Sequence, residues 1–251
     1  MEPEEQPANT VSLMERSAEE EQTRQALLQR LKGAALSSTF TLLSIIQGVA
    51  LADLAGVVAA NYTRFTLVQW LLASATFLLL IAAWNQITMD TLAWVQLPNM
   101  QGYVIPFIVG GMELFLNHAL ALSVQAWLIG TAIMAILSTF AIWYTGRNAA
   151  HHPENVALLA YLRPYRRSGM RYNLFGVVLL LLLALLSALG WFTSFDALIR
   201  QPGASSLIAV LLTGGWMLGF LQRHFYYWRV VIAYAQSKEM PKKKQKVTQS
   251  A

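Results

Sequence analysis

Residues 34–60 read AALSSTFTLLSIIQGVALADLAGVVAA, a run whose only charged residue is Asp53. Roughly twenty consecutive apolar residues carry an α-helix across the ~30 Å hydrocarbon layer of a bilayer, so this stretch predicts a membrane-spanning helix. Small residues recur in it at every fourth position, Ser44, Gly48, Ala52, Gly56 and Ala60. Helices in lipid associate by close van der Waals packing rather than by excluding water. The ladder is therefore expected to receive another helix of the same bundle, with contact to a second copy as the alternative.

Five further runs of this kind follow, 66–89, 103–123, 126–144, 172–192 and 207–227. Only 12% of the 251 residues are charged, about half the share usual in soluble domains, and the charges lie almost wholly outside the runs. A soluble enzyme is excluded. The stretch 103–144 is too long for one crossing, yet no Gly or Pro marks the turn between its halves, which falls either at 123–126 or at Asn117 and His118. Leucine fills 179–183 without a break, and a helix apolar on every side is expected to face lipid.

The predicted architecture is an all-α integral membrane protein, a six-helix transmembrane bundle with its N- and C-termini cytoplasmic. Residues 1–33 form a cytoplasmic N-terminal segment, 34–231 the transmembrane domain and 232–251 a basic cytoplasmic tail. Within the first segment 1–10 is acidic and polar, without the basic start of a secretory signal, so it is expected to be disordered and the first span retained. Ser17 and Glu20 have capping-box spacing, which predicts an amphipathic juxtamembrane helix over 17–32, with a solvated partner-binding arm as the alternative.

Orientation follows from the 18 Lys and Arg residues. All but Arg64 and Arg200 fall on the side of the termini, which the positive-inside rule makes cytoplasmic. Trp70, Trp127 and Trp191 would belt one face and Trp84, Trp143 and Trp228 the other. The loop 145–171 reads as a short helix over 153–162 stopped by Pro164. Arg163, Arg166 and Arg167 in this loop, with Lys242, Lys243 and Lys244 in the tail, are the expected contacts for anionic lipids of the cytoplasmic face. The tail segment PKKKQKV, 241–247, is read as lipid-facing or as a solvated terminus, with no nucleic acid as partner. A plasma membrane, or the cytoplasmic membrane of a bacterium, is the expected location.

Cysteine is absent, which removes disulfides, thiolate metal sites and cysteine nucleophiles. No HExxH, phosphate-binding glycine loop or GxSxG occurs, so neither an enzymatic reaction nor a cofactor is expected. His151, His152 and Glu154 read as a solvated loop group rather than a metal site, since adjacent histidines diverge and no further ligand cluster accompanies them.

The informative residues are the ionisable and amide side chains inside the runs. A charged group at mid-membrane costs roughly 2.5 to 3.5 kcal/mol on insertion scales, so it turns toward protein or water and marks a candidate site. Gln47 and Glu113 both lie near the middle of their runs. Asp53 lies about six residues further along, roughly 9 Å at 1.5 Å per residue, level with Asn117 and His118. These depths predict a polar seam between the first and third helices, Gln47 with Glu113 and Asp53 with His118 or Asn117. Asn85, Gln86 and Asp90 in the second run would extend it toward the cytoplasm. The stacked levels together suit a route for protons or ions.

The structural alternative is that such groups join helices by hydrogen bonds, worth about 0.6 kcal/mol each on average. Two functional readings follow. One is a small transporter or channel with a proton-linked seam centred on Glu113. The other is a noncatalytic membrane subunit or scaffold, whose partner is a second copy or another membrane protein. A faint echo between 109–112 (VGGM) and 213–216 (TGGW) would suit two halves of opposite topology, as in many secondary transporters.

Overall fold

The structure, a computed structural model, describes the backbone over 8–94 and 100–248, with side chains chiefly between 37 and 236. Seven α-helices make up the described chain: α1 (Ala8–Asn61), α2 (Leu67–Ala93), α3 (Met100–Leu122), α4 (Val124–Ala149), α5 (Val156–Ala188), α6 (Trp191–Ile199) and α7 (Ala204–Thr248). A single 3-10 turn, Pro153–Asn155, precedes α5. All except α6 contain a segment long and apolar enough to cross a membrane. These six close into a ring in which α1 neighbours α2 and α3, α4 joins α3 to α5, and α7 packs between α5 and α2.

Local chemistry places the turns. Thr66 caps α2 by a capping box, its backbone N–H donating to Gln69 Oε1 at 2.8 Å. Ser123 alone separates α3 from α4, and its hydroxyl accepts the Ala126 N–H at 3.0 Å. Of the two expected turn positions the structure uses this one, because a serine oxygen satisfies an orphan donor of the new helix. Asn117 and His118 consequently stay inside α3. At the same end of the bundle Gly190 ends α5 in a left-handed conformation, φ 75°, which a glycine adopts without a steric penalty.

Several expected boundaries are corrected. The backbone of α1 is unbroken from Ala8, so Ser17 lies within a helix rather than at its cap, and 8–10 is helical. Gly33 is too weak a breaker to stop it, costing about 1 kcal/mol against alanine. Likewise α5 runs through Pro164. A proline removes one helical hydrogen bond, which the flanking turns here tolerate. Residues 1–7, part of the segment expected to be disordered, lie outside the described residues.

The core also differs in detail. Trp127, expected at an interface, is fully buried and donates its indole N–H to Thr76 Oγ1 at 2.8 Å. It packs in one cluster with Leu72, Leu116, Leu128, Ala132 and Leu180. The α5 helix is not lipid-facing all round: Gly176, Val177, Leu180, Leu183 and Ala184 are buried, while Leu181, Leu182 and Leu185 are exposed. Uniform leucine hid which side faced inward. The small-residue ladder of α1 faces outward, with Ser44, Gly48, Ala52, Gly56 and Ala60 all exposed. Helix approach is instead made at Gly110, against Ile46, and at Gly176, against Trp216. Gly214 and Gly215 have open space around them, so the echo of 109–112 does not repeat the packing role of Gly110.

Candidate functional site

The α1–α3 contact gathers five of the eight predicted residues. Gln47 Nε2 donates to Glu113 Oε1 at 2.8 Å and to Oε2 at 3.0 Å, both side chains being buried. One turn further along α3, Asn117 Nδ2 donates to the Ala50 carbonyl at 2.8 Å and to Asp53 Oδ2 at 3.0 Å. His118 Nε2 lies 3.3 Å from Asp53 Oδ1. Asp53 thus receives both of the partners that the depths allowed, one on each oxygen.

Exposure rises steadily along this seam. Glu113 and Asn117 are 0% exposed, and the Asp53 and His118 side chains are 27% and 64% exposed. Two buried acceptors, Gln47 Oε1 and Asn117 Oδ1, have no hydrogen-bond partner. The inner part of the seam is therefore short of donors. A proton on Glu113, or a water molecule, would supply one.

Asn85, Gln86 and Asp90 do not extend this seam. Gln86 Nε2 donates to Asp90 Oδ2 at 2.9 Å, the i,i+4 pairing expected from their spacing. Both border a separate cavity of about 1210 Å³, on whose other walls lie α5 and α7. Asn85 meets the His224 ring through its backbone. The predicted residues therefore form two sites, because α2 turns its polar end toward α7 rather than toward the α1–α3 contact.

The arginines divide as well. Arg163 and Arg167 are exposed, whereas Arg166 turns inward, donating to the Ile142 carbonyl and lying 5.3 Å over the Trp94 ring. It faces Asp90 across the cavity's edge. Lys242, Lys243 and Lys244 lie outside the described side chains. Arg223, His224 and Tyr227 on α7 are cavity residues that the sequence reading did not select. The signal for them was a cation beside a histidine within the sixth apolar run.

Mid-span threonines carry no comparable chemistry: Thr131, Thr139 and Thr213 each return a hydrogen bond to the carbonyl four residues back. Among the described residues no group of three or more His, Asp and Glu is placed to hold a metal.

Six long apolar helices with a buried polar seam define a helical membrane protein. Compared with known protein families, curated proteins and solved structures, the chain finds no match.

Proposed function

We propose that the chain is a small membrane transporter or channel whose α1–α3 seam carries protons, without catalysing a covalent step. The observation that carries this reading is the graded series from buried Glu113, through Asn117 and Asp53, to exposed His118. Glu113 is the carboxyl that loads and unloads, and Asp53 with His118 is the relay to the outer side. A carboxyl at mid-membrane is costly, and is retained where it is fully paired or where transport requires it. The partnerless acceptors beside it favour the second reason.

In this reading the arginine-bearing ends of α4, α5 and α7 face the cytoplasm together with both termini, and 1–33 and 232–251 extend from that side. The location is a plasma membrane, or a bacterial cytoplasmic membrane. Arg163 and Arg167 meet anionic headgroups there.

A second reading, a noncatalytic subunit that binds another membrane protein or a second copy, is favoured by one observation. The outward ladder of α1 has open space at Gly48 and Gly56.

Proton and ion flux into liposomes containing purified wild-type protein or Glu113→Gln, with thermal stability measured for both, separates the two. Flux lost in a variant of unchanged stability supports transport. No flux above empty liposomes under any gradient, with a destabilised variant, overturns it.

A further inference from the structure

The cavity between α2, α5 and α7 is lined by none of the seam residues Gln47, Asp53, Glu113, Asn117 and His118. Among the described residues three arginines line it, Arg166, Arg223 and Arg229, against one acidic residue, Asp90. Arg166 is already engaged by Asp90 and by the Ile142 carbonyl. Among the described residues Arg223 is held by neutral groups, Ser168 Oγ at 2.5 Å and the Tyr172 ring at 4.4 Å. The wall therefore has an excess of positive charge, with Arg223 positioned by an aromatic ring and a hydroxyl.

Polar atoms without partners point the same way. His224 is 6% exposed and lines the cavity, yet its Nε2 has no hydrogen-bond partner. The Tyr227 hydroxyl, beside Arg166, makes no hydrogen bond of acceptable geometry. A buried polar atom left without a partner costs about 1–3 kcal/mol. Guanidinium and phenol groups converging in one cavity match the several acceptor oxygens of a phosphate, and the imidazole, whose first N–H is taken by the Asn85 backbone, adds a donor to them as an imidazolium.

Depth and the apolar wall identify the rest of the ligand. Counted from the start of α7 at Ala204, Arg223 lies roughly 29 Å along the helix at 1.5 Å per residue, close to the ~30 Å of a hydrocarbon layer. That is the level of lipid phosphates. Leu218 and Phe225 line the cavity and are 61% and 58% exposed, so its wall includes uncovered apolar surface of the kind acyl chains lie against.

We propose that this cavity is a binding site for an acidic phospholipid, with the phosphate held by Arg223, Arg166, Tyr227 and His224 and the acyl chains along Leu218 and Phe225. The site is independent of whether the seam moves protons.

Native mass spectrometry of the full chain in detergent, titrated with phosphatidylglycerol, phosphatidylcholine or inorganic phosphate, tests it. Phosphatidylglycerol is expected to bind in preference to phosphatidylcholine. Arg223→Gln, which removes one charge-assisted contact, is expected to weaken it about tenfold. Arg171→Gln, an exposed arginine on the same helix as Arg166 that does not line the cavity, is expected to change it less than about twofold. Arg223 is itself exposed, so its variant should fold; Tyr227→Phe, a smaller change, provides a second reading with the same direction. Equal loss from Arg171→Gln and Arg223→Gln would reduce the effect to general surface charge and overturn the proposal. Saturation by inorganic phosphate without lipid preference would overturn it in favour of a soluble phosphate.

Discussion

The side-chain amide of Gln47 reaches both oxygens of Glu113, at 2.8 and 3.0 Å, across an interface where neither residue is exposed. Glu113→Gln leaves a carbonyl acceptor in place and adds a donor amide of nearly the same shape. Its thermal stability is expected to stay within about 1 kcal/mol of wild type, the scale of interhelical hydrogen bonds in membranes. Glu113→Leu strands Gln47 with both ends of its amide unmet, for a loss of about 1–3 kcal/mol. Thermal unfolding of both variants in detergent checks this; equal stability would mean that the amide relaxes to other partners.

Asp196 lies outside the membrane-spanning segments and ties α6 to the start of α7, accepting Ser205 N–H at 2.8 Å and Gly203 N–H at 2.7 Å. Those bonds, to Ser205 first, hold its carboxyl below the usual carboxylate range. A lowered folded-state pKa contributes stability that is present above the unfolded value of about 3.9 and is lost as pH falls through the folded value. Asp196→Asn should therefore melt lower than wild type at neutral pH. The gap should close in acid, as pH falls below the unfolded value and through the lowered folded one; a pH series of melting temperatures for both proteins decides it.

Glycines separate into those with room and those without. A Cβ at Gly176 would meet the Trp216 indole, and one at Gly110 the Ile46 side chain. Alanine at either is expected to destabilise by about 1–3 kcal/mol through overpacking. At Gly48 and Gly56 nothing lies within 4 Å, and alanine there should stabilise the helix by about 0.5–1 kcal/mol. Unfolding of the four single variants in detergent provides the comparison. Destabilisation by Gly48→Ala or Gly56→Ala would mean that the outward face of α1 is covered by another chain in the purified protein.

Much of this was legible because depth along an apolar helix is a simple coordinate. Gln47 and Glu113 sit at one level and Asp53 and Asn117 at another, so their pairing followed from residue spacing once the two helices touched. Azimuth was not legible. Asp90 and Gln86 have the right depth for a continuation of the seam, but α2 turns them toward α7, and no periodicity signals this in a helix apolar on nearly every side. Arg166 shows the same gap. A positive charge near the end of an apolar run reads as a headgroup contact, and the Ile142 carbonyl of α4 together with Trp94 and Asp90 at the end of α2 draws it inward. The ladder of α1 failed for a related reason: small residues permit close approach from a neighbour without determining that one is there.

Trp127 brings that distinction to a measurement. An indole at the membrane interface would donate to water or headgroups, and its replacement by phenylalanine would be nearly neutral. Here Nε1 donates to Thr76 Oγ1 at 2.8 Å, and the Thr76 hydroxyl donates onward to the Leu72 carbonyl at 2.8 Å, all within the buried core. Trp127→Phe should cost about 1–3 kcal/mol, combining a lost hydrogen bond with unfilled volume. Thr76→Val should cost a similar amount by leaving the indole donor buried and unmet. Because both changes remove one shared bond, the double variant should lose less than the two single losses combined. Strict additivity in thermal unfolding would show that the bond contributes nothing and that the cost is packing alone.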